Sequence, residues 1–324
     1  MDFLTSFKKN LIHISPTNFE TNALAALHFQ IKENKTYASY NDHLGRKVES
    51  MTKITDIPFL PIDFFKSRQI KTGEWVEQKI FRSSGTTETG RSRHFIQDLT
   101  FYHDSSLRHA QYIFGTFAHV PILALLPSYL EQGESSLVEM VRHFMTVAHP
   151  NSGFYLDMTD SLVEQMIRSE SPMLLFGVSY ALLDLADRHP HADLSKHIII
   201  ETGGMKGRKK EITSAELHKR LKIAFNHPKI FTEYGMTELL SQAYGKPSAL
   251  QFPPWAKALV RDLNDPFLIK TEGTGILNVI DLANIHSCAF IETKDLVRLN
   301  KSGEFEVYGR VDNTDIRGCN LLIQ

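Results

Sequence analysis

Two cysteines in 324 residues, Cys288 and Cys319, are too few for a disulfide framework. No apolar run approaches the ~20 residues that a membrane-crossing helix needs, so no membrane span is expected. The opening stretch, Met1 to Asn10, has Lys8 and Lys9 but no apolar core of a secretory signal. Neither sign of charge is in excess: a net charge of −1 gives no global pull toward nucleic acid or an anionic membrane. Histidine is plentiful, at 15, yet no His-x-x-x-His occurs, and His189, His191 and His197 flank a turn at Pro190 without ligand-like companions. That excludes a helical zinc motif. Repeats, low-complexity blocks and long linkers are missing too. What is left is the profile of a cytoplasmic enzyme, with 42% hydrophobic residues to build a sizeable core.

Coarse patterning places strands and helices in alternation over most of the chain. Residues 17–45 read as mostly helical, with apolar positions at Leu24, Leu27, Phe29 and Ile31. Ile57 to Ile62 reads as an extended connection, because Pro58 and Pro61 each bias the preceding residue away from helix. Val120–Leu126, Met173–Gly177, His197–Glu201 and Lys229–Thr232 read as strands. Helices are expected at Leu99–Phe117, Ser135–Val147, Ser161–Ser169, Ser179–Arg188 and Ser214–Phe225. Such alternation argues for an α/β fold, a parallel sheet covered by helices. From Gly273 the pattern turns to β, at Gly275–Asp281, Ala289–Thr293 and Phe305–Tyr308. The expectation is one domain with an α/β core over about residues 1–270 and a smaller β-rich subdomain over 271–324.

The most informative stretch is Phe81-Arg82-Ser83-Ser84-Gly85-Thr86-Thr87-Glu88-Thr89-Gly90-Arg91. Hydroxyls and backbone N–H groups in such a loop can hold a phosphate, Gly85 lets the backbone come close, and Arg91 and Arg93 stand behind to neutralise it. No Gly-Lys-Ser/Thr closes the loop, so it is not a Walker A motif. Alone, such a run is more often a plain surface turn. In Thr232-Glu233-Tyr234-Gly235-Met236-Thr237-Glu238 the glycine lets the backbone turn, the tyrosine ring can cover a flat base, and Thr237 and Glu238 can face phosphate and a divalent ion. A carboxylate beside a triphosphate makes sense only with Mg²⁺ to screen the like charges. Asp295, closing Glu292-Thr293-Lys294-Asp295, can accept hydrogen bonds from ribose hydroxyls, and Gly309-Arg310-Val311-Asp312-Asn313 with Ile316-Arg317-Gly318 completes the series. Ser83–Gly90, Ser128–Glu134, Gly203–Arg208 and Glu233–Glu238 each follow an expected strand. In open α/β sheets, ligands bind outside the carboxyl ends of strands.

The order Ser-Ser-Gly-Thr-Thr, Gly203-Gly204, Tyr-Gly-Met-Thr-Glu, Thr-Lys-Asp in place of the usual Thr-Gly-Asp, then Gly-Arg-Val-Asp-Asn resembles the adenylate-forming superfamily of acyl and aryl ligases, over residues 83–318. Within it the chain looks most like the acyl-protein synthetases, which activate a fatty acid for a fatty acid reductase. The residues that carry this finer likeness are Leu126-Pro127-Ser128-Tyr129-Leu130, Gly133-Glu134-Ser135-Ser136 and Arg317-Gly318-Cys319. The resemblance implies the fold of the superfamily's large N-terminal domain. Two departures stand out. Arg91 and Arg93 occupy the region where the superfamily usually keeps a lysine, so the cation is retained but not its geometry. The chain also stops where most members hinge, at Asp312, into a small C-terminal domain that carries an activating lysine, expected here to be absent. Lys206 and Arg208 are the substitutes the sequence offers.

What the resemblance implies chemically is ATP-dependent activation of a carboxylic acid, with ATP and Mg²⁺ as cofactors. Ser83, Ser84, Gly85, Thr86 and Thr87 with Arg91 or Arg93 would hold the departing phosphates, Glu238 the Mg²⁺, and Asp295 with Arg310 the ribose. Gly203, Gly204, Tyr234 and Gly235 would frame adenine, with Thr237 facing phosphate. A thiolate is the natural second nucleophile at neutral pH. Cys319 reads two ways, as the acyl acceptor or as a small buried hydrophobe beside Leu321-Leu322-Ile323, and Cys288 reads as core. Three functions stay open: an acyl-protein synthetase with a reductase partner, an acyl- or aryl-CoA ligase similar to the phenylacetate-CoA ligases, and a non-catalytic nucleotide- or acyl-binding protein.

Overall fold

A computed structural model describes residues 2–84, 90–127, 134–155, 160–203, 212–227 and 229–311. Helices α1 (Phe3–Asn10), α2 (Phe19–Glu33) and α3 (Lys35–His43) open the chain. Asp2 and Asn34 cap the first and third by accepting from the amides of Thr5 and Tyr37. Strand β1 (Leu60–Pro61), α4 (Phe64–Ser67), β2 (Lys79–Arg82), β3 (Arg93–Ile96) and α5 (Leu99–Phe114) follow. Next come β4 (Ile122–Leu125), α6 (Ser136–Thr146), β5 (Gly153–Tyr155), α7 (Asp160–Arg168), β6 (Leu174–Val178), α8 (Ser179–Arg188), β7 (Ile198–Thr202), α9 (Ser214–Ala224) and β8 (Ile230–Tyr234). The remainder is strand: β9 (Ala243–Lys246), β10 (Ala249–Gln251), β11 (Ala256–Arg261), β12 (Ile269–Lys270), β13 (Gly273–Asp281), β14 (Phe290–Leu299) and β15 (Phe305–Arg310). No described helix is long and apolar enough to cross a membrane. The chain divides into two units, a first made of Met1–Ser105, Thr237–Ser241 and the chain from Gln251 onward, and a second made of Ser106–Met236 and Gln242–Leu250.

The second unit holds the expected parallel sheet. Its strands run β5-β4-β6-β7-β8, all parallel, and β9 closes antiparallel on β8. Every residue of β4 and β6 is buried, the uninterrupted apolar run that a sheet covered on both faces requires. Helix α8 starts on the residue after β6. Gly177 makes that possible, since a Cβ there would lie 2.7 Å from the Leu182 side chain. Ser135 and Thr213 cap α6 and α9 through their side chains.

The first unit is antiparallel, in the order β12-β11-β13-β14-β15, with β1 lying parallel to the opening residues of β14. Helix α2 meets the Leu282–His286 turn through a polar anchor instead of an apolar stripe. The amide of buried Gln30 donates to the carbonyls of Asn284 and Ile285 at 3.1 and 3.0 Å, and its oxygen accepts from Ala289 N at 2.9 Å. The buried face of α2 is therefore Ala23, Ala26, Leu27 and Gln30, while Leu24, Phe29 and Ile31 are half-buried. Small alanines allow the close approach that Gln30 needs to reach backbone.

One sequence expectation is corrected here. The segment after Arg91 is strand β3, paired antiparallel with β2 in a separate two-stranded sheet, so the Ser/Thr/Gly stretch joins a hairpin and does not follow a parallel strand into a helix. His94, Phe95 and Ile96 are buried, which favours an extended chain there. Helix α5 begins only at Leu99 and stops before Gly115, whose φ of +84° lies in the left-handed region.

Candidate functional site

Polar residues buried in the first unit fix the Thr237–Ser241 segment and with it Glu238. The carboxyl of Asp281 accepts from the amides of Leu240 and Ser241 at 3.0 and 2.9 Å and from the Ser241 hydroxyl at 2.7 Å. Asn284 donates from Nδ2 to the Glu238 carbonyl at 2.7 Å. From β3, His94 Nδ1 donates to the Thr237 carbonyl at 2.8 Å. Burial holds the His94 imidazole down to about 4, so it is neutral in this contact at neutral pH.

The Glu238 carboxyl is itself buried, and that burial pushes its pKa up. The Ser92 hydroxyl donates to it, and the positive charges of Arg310 and Lys66 pull in the opposite direction. Ser92 also ties the carboxyl to the hairpin mouth, where its amide donates to Ser83 Oγ at 2.9 Å. Arg91 Nε donates to the Ser83 carbonyl at 2.7 Å, and Arg91 Nη2 is buried without a hydrogen-bond partner among the described residues. Arg82 and Arg93 face one another across the β2–β3 ladder, a like-charged pair whose repulsion a bound anion would relieve. Asp295 and Arg310 pair in register on β14 and β15, with Nε 3.5 Å from Oδ1. Ser83, Arg91, Glu238 and Arg310 are thus linked within one unit. Ser84 is exposed at the hairpin's edge, and Arg93 lies with its guanidinium 5.8 Å from the Phe95 ring centre.

These side chains fit a phosphate-bound Mg²⁺. Among the described residues no three His, Cys, Asp or Glu side chains stand together as a protein-only cage. A single carboxylate suits an ion that takes its other ligands from phosphate and water. The unpartnered Arg91 donor suits the phosphate.

In the second unit, Gly203 and Tyr234 stand at the carboxyl ends of the adjacent parallel strands β7 and β8. Gly203 has φ +69°, which ends β7 in a turn that glycine adopts without strain. A Cβ on Gly235 would lie 2.5 Å from Glu233 Oε1, so the glycine leaves room for that carboxyl. Two buried carboxyls, Glu201 and Glu233, sit on these strand ends. Burial pushes Glu233 up to about 7, and the neighbouring Glu201 adds to the rise. Gly85, Thr86, Thr87, Gly204, Lys206, Arg208, Asp312 and Cys319 lie outside the described residues.

No protein-family model matches the sequence, and no curated protein matches it. Solved structures do. A 2-hydroxyisobutyryl-CoA ligase, in an open conformation with 2-HIB-AMP and CoA, superposes with a TM-score of 0.66 at 11% identity over 94% of this chain and 78% of its own. ATP-bound MatB from Rhodopseudomonas palustris gives 0.52 at 19% identity over 71% of this chain and 47% of its own. MbtA from Mycobacterium smegmatis gives 0.52 at 14% identity, over 72% and 46%. The fold is that of the large domain of adenylate-forming enzymes. The chain spans about half the length of MatB and MbtA.

Sequence reasoning missed the residues that aim the named ones. Ser92, His94, Asp281 and Asn284 look like ordinary polar residues until the fold buries them. Glu201 and Glu233 left a readable sign, a carboxylate at the end of Ile198-Ile199-Ile200 and of Ile230-Phe231-Thr232.

Proposed function

We propose that this protein activates a carboxylic acid with ATP and passes the acyl group to a thiol. The observation that carries the reading is the buried Glu238 carboxyl, bonded to Ser92 and flanked by Arg310 and Lys66, beside the unpartnered Arg91 donor. In the first step a carboxylate oxygen of the acid attacks the α-phosphorus, the bond to the β-phosphate oxygen breaks, and pyrophosphate leaves. The protein must bring anion to anion, so its work is positioning and charge neutralisation. Arg91, Arg93 and the Ser83–Thr87 loop hold the departing phosphates. Glu238 holds Mg²⁺, which supplies charge neutralisation and a template for the triphosphate. Asp295 and Arg310 hold the ribose, Gly203, Gly204, Tyr234 and Gly235 frame adenine, and Thr237 faces phosphate.

In the second step a thiolate attacks the acyl carbon, AMP leaves, and a thioester forms. The finer reading is a cytoplasmic acyl-protein synthetase: a fatty acid as substrate, Cys319 as acceptor, and a fatty acid reductase as partner. Its support is the motif order and the Arg317-Gly318-Cys319 ending. A second reading, transfer to CoA, draws on the likeness to the 2-hydroxyisobutyryl-CoA ligase. Incubation with ATP, Mg²⁺ and labelled fatty acids separates them. Label on protein that hydroxylamine removes supports the first, and label on CoA supports the second. Absence of pyrophosphate release overturns both and leaves a non-catalytic binding protein.

A further inference from the structure

We propose that Glu201 is a positioning residue whose protonated carboxyl, acting through Ser179, fixes the Gly203 carbonyl at the exit of β7; the purpose assigned to it, presenting that backbone to a nucleotide, rests on the adenylation reading. The case is one of counting protons. Ser179, the first residue of α8, has its hydroxyl oxygen within hydrogen-bond reach of three oxygens: Glu201 Oε1, the Gly203 carbonyl at 2.9 Å and the Thr202 carbonyl at 3.3 Å. A hydroxyl carries one proton. If Glu201 were ionised it would take that proton, and the nearer carbonyl would lose its donor. With the proton on Glu201, the acid donates to Ser179 Oγ and the Ser179 hydroxyl is released to the Gly203 carbonyl.

The other carboxyl oxygen is occupied from the opposite direction. Thr232 Oγ1 donates to Glu201 Oε2 at 3.1 Å, so it can only accept from His218 Nε2, 3.0 Å away. His218 Nδ1 is buried without a partner, which suits the neutral Nε2–H tautomer. The donors run one way, His218 to Thr232 to Glu201 to Ser179 to Gly203, and join α9, β8, β7 and α8. On the other face of the same two strands, the Thr202 hydroxyl donates to Glu233 Oε2. Each strand thus lends its threonine to the neighbour's carboxyl, and both faces of β7 are held immediately before Gly203.

A glutamine at position 201 keeps the relay, because its amide donates to Ser179 and its oxygen accepts from Thr232. Leucine keeps the volume and removes both functions. Glu201→Gln should therefore bind ATP as the wild type does. Glu201→Leu and Ser179→Ala should raise the KM for ATP roughly five- to tenfold with kcat little changed. Hydrogen–deuterium exchange over residues 198–203 should quicken in Glu201→Leu and not in Glu201→Gln. The relay is overturned if Glu201→Gln is impaired as badly as Glu201→Leu, since a charge would then be the requirement. It is also overturned if Glu201→Leu changes neither KM nor exchange. A wild-type protein that binds no ATP by calorimetry overturns the adenylation reading instead, and the exchange measurement still decides whether the relay holds the backbone.

Discussion

The hydroxyl of Ser92 donates to the carboxyl of Glu238, so the β2–β3 hairpin and the Thr237–Ser241 segment meet at the group proposed to hold the metal ion. A glutamine at 238 preserves the shape and a hydrogen-bonding oxygen, but an amide is a poorer ligand for a hard cation. Glu238→Gln should therefore abolish Mg²⁺-dependent ATP–pyrophosphate exchange while AMP binding stays near the wild-type level. Exchange at the wild-type rate would remove Glu238 from the site.

Where the fold was legible, the reason is physical. Strands β4, β6 and β7 lie inside a sheet covered by helices and are written as apolar runs, and α8 is found over Ser179–Arg188 as its pattern predicts. Strands β3 and β11 were not legible, since Arg93-His94-Phe95-Ile96 and Ala256-Lys257-Ala258-Leu259-Val260-Arg261 carry charges at their ends and gain strand character from pairing. The site divides the same way. Glu238 and Asp295 could be named from motif order, whereas Asp281 and Ser92 act only through contacts distant in sequence.

Asp281 offers a separate test of how Glu238 is held. Its two oxygens accept four hydrogen bonds, from the Leu240, Ser241 and Ala283 amides and the Ser241 hydroxyl. Asp281→Asn turns one buried acceptor into a donor facing donors, at a cost of about 1–3 kcal/mol. The urea midpoint should fall, and pyrophosphate exchange should weaken because the segment bearing Glu238 is loosened. An unchanged midpoint would show that these bonds do not hold the segment.

Stability should depend on pH through groups of opposite sign. Burial holds His94 and His286 down to about 4 against 6.5 in the open chain. Between those values the unfolded chain takes up protons that the fold refuses, so their contribution is full above pH 6.5 and is lost as pH falls toward 4. Glu233, pushed up to about 7 from 4.5, runs the other way, with stability lost as pH rises from 4.5 toward 7. The two effects oppose each other between pH 4.5 and 6.5. Glu233→Gln should therefore steepen the loss of stability on acidification, read as denaturant midpoint against pH. An identical profile in the variant would mean that Glu233 does not hold its proton in that range.

The Asp295–Arg310 pair predicts a modest effect on nucleotide affinity. Asp295→Ala removes a proposed acceptor for ribose hydroxyls, and such bonds contribute about 0.5–1.5 kcal/mol net. ATP affinity should fall several-fold, with the melting transition kept because the ion pair, at 3.5 Å, is long and Arg310 is exposed. Calorimetry that returned the wild-type affinity would make the ribose assignment wrong.

The two cysteines separate chemistry from packing. Cys288 is buried, its thiol contacts the Phe290 carbonyl at 3.4 Å, and burial pushes its pKa up to about 12, so it supplies no thiolate at neutral pH. Cys288→Ser should cost stability, roughly 1–2 kcal/mol for a hydroxyl placed in an apolar core, and leave acyl transfer intact. Cys319→Ser should still form the acyl-adenylate but accumulate no hydroxylamine-labile acyl-protein, because a hydroxyl lacks the thiolate's nucleophilicity. Labelling both variants with ATP and a radioactive fatty acid checks the pair in one experiment. If the Cys319 variant acylates at the normal rate, that residue is not the acceptor. The acyl group must then go to a partner's thiol or to CoA, and the ligase reading takes precedence over the synthetase.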